Sequence, residues 1–197
     1  MDRRTLLGFD WIWFLTLLVL SAAGIVAIWS TTDGTSLNSY FGRQLIYLCI
    51  ALVVFFALLY FDYHVFSDFI VFIYAAGMAL LGLVLVVGVS IHGNKSWISL
   101  GIFSFQPSEV MKIIVIIALA KYYSRIEGEH LEWRELLIGA AIVLVPTAMV
   151  VLQKDLGTAV TFLPIYGVLS CLAGIRRKHA LLLLVVLLVA APAAWLS

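Results

Sequence analysis

Long apolar runs separated by short polar islands dominate the chain. The runs cover residues 11–29, 42–60, 69–89, 109–123, 136–152, 156–175 and 180–196. A helix rises about 1.5 Å per residue and needs about 20 residues to cross a hydrocarbon layer of about 30 Å. Each run is continuous, without the in-out alternation of a lipid-facing barrel strand. The expected fold is therefore an all-α polytopic membrane protein with seven transmembrane helices in residues 1–197. The fourth and fifth runs are short, so each is expected to borrow a flanking polar turn. Pro146 and Pro164 lie inside the fifth and sixth, where each removes one backbone hydrogen bond and predicts a bend.

Composition strengthens this picture. Of 197 residues 64% are hydrophobic and 12% charged, which excludes an ordinary soluble domain. The first run follows "MDRR", is flanked by Trp11 and Trp29 and meets no small-x-small cleavage site, so it is expected to stay as a span. Cys49 and Cys171 both fall within apolar runs, where packing is favoured over a disulfide. The last run ends at Ser197 without a tail, as though the chain were cut after a span.

Charge then sets an orientation. With the N-terminus in the cytoplasm, Arg3, Arg4, Lys121, Arg125, Arg134, Arg176, Arg177 and Lys178 lie inside, and Arg43, Lys95, Lys112 and Lys154 lie at the outer side. The excess of basic residues inside favours this arrangement.

Two polar islands fall on the same, outer side. The first is "IHGNKSWISLGIFSFQPSEVMK", residues 91–112. Gly93 and Gly101 offer backbone freedom, and Pro107 precedes the next helix with Ser108 and Glu109 in its first turn. A plain cap and turn accounts for these. Glu109 and Lys112, three apart on one helical face at the mouth of a short span, suit a polar cleft better, because lipid does not solvate them. Trp97 fits either an interfacial aromatic belt or a platform for a sugar ring. The second island is "QKDLGT", residues 153–158, a very tight turn in which Asp155 can cap the following helix or line a cavity shared with the first island. Arg43, Lys95, Lys112 and Lys154 against Glu109 and Asp155 make a mostly cationic rim. Such a rim suits a lipid-linked phosphate, and anionic headgroups would balance it equally well.

Other chemistry has little footprint. His64 stands alone in an aromatic-acidic turn, and Glu129 and His130 lack the second histidine of a zinc motif. There is no phosphate loop, dinucleotide fingerprint or Ser-x-x-Lys signature. Nothing suggests nucleic acid.

"GNKSWISLGIFSFQPSEVMK" and "QKDLGTA" together resemble two elements of the SEDS family (shape, elongation, division and sporulation) of bacterial peptidoglycan glycosyltransferases. The family pattern runs glycine-x-x-arginine-tryptophan, leucine-glycine, phenylalanine-glutamine-proline-serine-glutamate, lysine, and then Gln-Pro-Asp-Leu-Gly-Thr. The short start "MDRRTLLGFDW" is similar to the elongation branch. Two departures stand out: Ser96 replaces the usual arginine, with Lys95 beside it, and Lys154 replaces the usual proline. The motif residues present are Gly93, Gln106, Pro107, Ser108, Gln153, Asp155, Gly157 and Thr158.

The resemblance implies polymerisation of lipid II into glycan strands during elongation, at the outer face of the bacterial cytoplasmic membrane. It implies a class B penicillin-binding protein and other elongation-machinery membrane proteins as partners, and lipid II and undecaprenyl-linked glycan as ligands. It also implies about ten spans in the complete fold, with the proposed catalytic aspartate in an outer loop beyond Ser197. No catalytic residue is then expected in this chain. Arg43, Lys95, Trp97, Glu109 and Lys112 are the candidate substrate contacts. No cofactor is identified, and a divalent cation that assists pyrophosphate departure stays open. Two other functions fit the same features: a flippase or transporter of lipid-linked precursors, and a noncatalytic membrane scaffold for cell-wall synthesis.

Overall fold

The computed structural model describes residues 10–31, 39–59, 63–91, 94–99, 104–128 and 130–175. The chain divides into two compact units, Met1–Asp62 and Tyr63–Ser197.

The first unit contains α1 (Trp11–Thr31) and α2 (Tyr40–Leu58). The Asp10 carboxylate accepts the backbone N–H groups of Ile12 and Trp13 at the start of α1. Ser39 caps α2 by accepting the Gly42 N–H at 3.2 Å. The two helices meet through Phe14, stacked on Phe55 at 5.4 Å between ring centroids and edge-on to Phe56.

The second unit contains α3 (Tyr63–Asp68), α4 (Ile70–Val87), β1 (Val89–Ile91), β2 (Asn94–Ser99), β3 (Ser104–Phe105), α5 (Pro107–Tyr123), α6 (Trp133–Leu152) and α7 (Leu156–Leu172). Helix α5 is central and packs against α4, α6 and α7. Leu81 and Val84 of α4, Met111, Val115 and Leu119 of α5, Val143 and Val150 of α6 and Phe162 of α7 are buried. Outward faces are apolar instead of polar: Phe72, Val86 and Leu172 are 75%, 80% and 79% exposed. That inside-out surface belongs in lipid.

Lipid tails are as apolar as leucine, so burial alone does not hold such helices together; close backbone approach and interhelical hydrogen bonds do. Gly139 of α6 leaves room for the Tyr123 hydroxyl, which a β-carbon there would strike. Tyr123 Oη and Ser170 Oγ then share a buried hydrogen bond of 2.9 Å between α5 and α7. Tyr74 donates to the Ile142 carbonyl and Tyr166 to the Leu136 carbonyl, each at 2.9 Å. Three tyrosines thus stitch α4, α5 and α7 to their neighbours.

The expectation of seven transmembrane helices is corrected. Seven helices are present among the described residues, but only four are long and apolar enough to cross a membrane: Trp11–Thr31, Tyr40–Leu58, Ile70–Val87 and Trp133–Leu152. Helix α3 has six residues. The expected fourth and sixth spans form α5 and α7, each of 17 residues, with Glu109, Lys112 and Lys121 within α5. Tight polar turns cut both helices short, since Gln106 and Asp155 end the preceding segments in extended or irregular backbone. The expected span 180–196 lies outside the described residues.

A second difference is the three-stranded antiparallel sheet, ordered β1-β2-β3, where the sequence suggests only a connection. Val89 pairs with Trp97, Ile91 with Asn94, and Ile98 with Phe105. The strands are two to six residues long. Their pairing satisfies backbone groups held against the end of α4, which is a tertiary requirement.

Candidate functional site

The two polar islands meet at one end of the second unit. Gln106 is the residue before α5, and Pro107 opens that helix, where its missing N–H costs nothing. From this position Gln106 Nε2 donates to Asp155 Oδ2 at 2.7 Å and lies 3.4 Å from Thr158 Oγ1. The other Asp155 oxygen accepts the Thr158 N–H at 3.1 Å and so caps α7. One carboxylate therefore caps its own helix, as the sequence suggests, and also ties the two islands together. It is buried, and its bonds to an amide and a backbone N–H offset the loss of water.

A second set of bonds fixes the sheet to the same turn. The Lys95 N–H donates to the Gln153 carbonyl at 3.1 Å, and Gln153 Nε2 donates to the Leu81 carbonyl of α4 at 3.1 Å. Gln153 is 1% exposed. The turn itself is a Schellman motif, with Lys154 N–H bonded to Val151 O and Asp155 N–H to Val150 O. This geometry puts Lys154 at φ 62°, a left-handed conformation that favours glycine. A proline, which the family pattern has here, could neither adopt that φ nor donate that bond.

The charged groups surround this core. Lys112 Nζ and Glu109 Oε1 pair at 2.9 Å, with the lysine side chain 22% exposed and the glutamate 56%. The pair sits at the open start of α5, with its carboxylate favoured by the helix N-terminus. Lys95 and Trp97 alternate with the buried Ser96 along β2 and so share one face, the lysine exposed and the indole half-buried. Lys154 is exposed on the turn, as is Gly157 one step into α7. Ser108 is fully buried in the first turn of α5, and no partner for its hydroxyl occurs among the described residues; the same holds for Ser96 Oγ and Gln153 Oε1.

Lys95, Trp97, Gln106, Pro107, Ser108, Glu109, Lys112, Gln153, Asp155, Gly157 and Thr158 thus lie on the elements that converge at this end. Arg43 stands exposed in the first turn of α2, in the first unit. Gly93 lies outside the described residues. Among the described residues no three His, Cys, Asp or Glu side chains converge as a metal site would need.

Sequence reasoning missed Gln153 as the bridge to α4, the left-handed Lys154 and the buried Ser96. A signal existed only for Gln153: a glutamine between two apolar runs needs a partner once both helices pack.

Comparison with known proteins decides the family. The profile of the cell cycle proteins FtsW, RodA and SpoVE matches residues 4–197. The chain belongs to this family, the SEDS proteins. It is 34% identical over 177 residues to the peptidoglycan glycosyltransferase RodA of Treponema pallidum, covering 88% of this chain and 41% of the relative. It is 32% identical over 174 residues to the stage V sporulation protein E of Bacillus subtilis, covering 84% and 47%. The chain therefore spans less than half the length of these two SEDS relatives. The fold is similar to the crystal structure of the rod shape determining protein RodA of Thermus thermophilus, with TM-score 0.82, 30% identity, and coverage of 95% of this chain and 60% of that one. It is also similar, with TM-score 0.80 and 28% identity over 95% of this chain and 55% of the other, to a chain of a peptidoglycan synthase complex described for the coordination of polymerization and crosslinking. SEDS membership and the apolar helices together make this a multi-pass membrane protein.

Proposed function

We propose that this SEDS chain is part of a glycosyltransferase that polymerises lipid II into glycan strands during cell elongation, at the outer face of the bacterial cytoplasmic membrane. The observation that supports this reading is the Gln106–Asp155 bond, which joins the two polar islands that carry Lys95, Lys112 and Lys154. Transfer from an undecaprenyl pyrophosphate needs positive charge where the pyrophosphate departs and a base at the acceptor hydroxyl. Lys112, with Lys95 on the neighbouring strand, supplies the first; Glu109 holds Lys112 in place or accepts from an acceptor group. Trp97, on the Lys95 face, stacks on a sugar ring. The general base is assigned to no residue of this chain. In this reading the N-terminus is cytoplasmic and the Gln106–Asp155 end lies outside.

A class B penicillin-binding protein is the proposed partner, in keeping with the similarity to a chain of a synthase complex. The test incubates purified full-length protein with lipid II, with and without that partner, and resolves the products on a gel. Glycan ladders that shorten or vanish with Lys112→Ala support the reading. Absence of polymer under both conditions, with precursor moved across vesicles instead, would favour transport.

A further inference from the structure

The other end of α5 carries a feature that the proposed reaction does not use. The helix runs 17 residues from Pro107 to Tyr123, about 25 Å. At this other end, an open cavity of about 290 Å³ is lined by residues of α3, α4, α5 and α6. Its polar side carries Asp68 of α3, Lys121 of α5 and Arg125 just beyond α5. Its apolar side includes Ile70 and Val71 of α4 and Ala118 of α5.

Three properties define what fits. Two cations against one carboxylate leave the lining with net positive charge. Lys121 Nζ pairs with Asp68 Oδ1 at 3.2 Å, but the carboxylate is 70% exposed and the lysine 25%, so the pair is open to exchange for a stronger anion. The apolar wall continues onto the outer face of α4, where Val71 and Phe72 are 73% and 75% exposed. A lysine near a helix end, its stem along apolar side chains and its head at the rim, marks the depth where phosphate headgroups lie.

We propose that this cavity seats the phosphate headgroup of one anionic phospholipid between Lys121 and Arg125, with an acyl chain running along Val71 and the exposed face of α4. The volume takes a phosphoglycerol group and the first methylenes; the remainder of the chains stays in the bilayer beside α4. A soluble anion would use the cations and leave the apolar wall empty, whereas a lipid satisfies both. With the cytoplasmic N-terminus proposed above, the lipid comes from the inner leaflet, where anionic lipids attract basic groups.

Native mass spectrometry of the full-length protein in detergent, titrated with phosphatidylglycerol or phosphatidylcholine of the same acyl chains, tests this. One phosphatidylglycerol is expected to be retained at about tenfold lower concentration than phosphatidylcholine. The Lys121→Gln/Arg125→Gln pair should abolish that preference, and Arg134→Gln, a basic residue outside the cavity lining, should leave it intact. Asp68→Asn removes the competing carboxylate and should strengthen retention. Ala118→Phe fills the apolar side and should weaken it with the charges in place. If the double variant fails to fold, Asp68→Asn and Ala118→Phe decide. Equal retention of the two lipids, equal loss in Arg134→Gln, or displacement by millimolar inorganic phosphate would overturn the proposal.

Discussion

Gln106 and Asp155 stand 49 residues apart in the chain, and their side chains meet at 2.7 Å. The bond links the start of α5 to the start of α7, so the angle between two neighbouring helices is set at the same end as the charged groups. Asp155→Ala removes this bond and the α7 cap together and leaves the half-buried Gln106 amide without its carboxylate. A loss of about 1–3 kcal/mol is expected, read as a lower unfolding midpoint in detergent. Combined with Gln106→Ala, the two changes should cost less than their sum, because they break one shared contact. Strict additivity would mean that the pair does not interact.

Lys154 occupies a conformation that glycine tolerates better. Lys154→Gly should leave stability unchanged or raise it by up to about 1 kcal/mol, since the side chain is exposed and the strain of φ 62° is relieved. Lys154→Pro should be clearly destabilising, as it removes the bond to Val151 O and forces φ negative. Thermal unfolding of the three proteins side by side distinguishes these signs. A proline variant as stable as the parent would show that this turn adopts another form.

Close approach of α5 to α6 depends on Gly139. A methyl group there meets the Tyr123 hydroxyl and ring, with the Leu119 Cδ1 at 3.2 Å, so Gly139→Ala should cost about 1–3 kcal/mol. Tyr123→Phe deletes the hydroxyl and its bond to Ser170, and by itself should also destabilise. Together the two should be milder than their sum, since the phenylalanine clears the atom nearest the new methyl. Unfolding midpoints of the four proteins measure this.

Lys112 and Glu109 should divide stability from function. An exposed i,i+3 pair contributes only about 0.2–0.5 kcal/mol, so Lys112→Ala should scarcely move the unfolding midpoint. Turnover of lipid II should fall by about tenfold or more, as expected when a charge-assisted contact to phosphate is lost. Glu109→Gln, which keeps the lysine, should have the smaller effect. Full turnover by Lys112→Ala in reconstituted protein would remove Lys112 from the substrate site.

Sequence by itself determined the elements whose cause is local. Apolar runs mark the helices because lipid accepts no exposed polar stretch, Pro107 marks the start of α5, and Asp155 marks the start of α7, because caps and N1 prolines act within one turn. The Glu109–Lys112 pair was legible for the same reason, three residues apart on a helix. Family membership was legible from the order of the two islands. Only the tertiary structure decided the rest: which partner each buried polar group finds. Gln106 with Asp155, Gln153 with Leu81 and Lys95 with Gln153 are separated by 49 to 72 residues, and no spacing rule reaches that far. The left-handed Lys154 and the short strands follow from those packed positions, as does the shortening of α5 and α7. A hydrophobic run shows that a segment prefers lipid, but the length of helix it yields depends on where its neighbours require the backbone to turn.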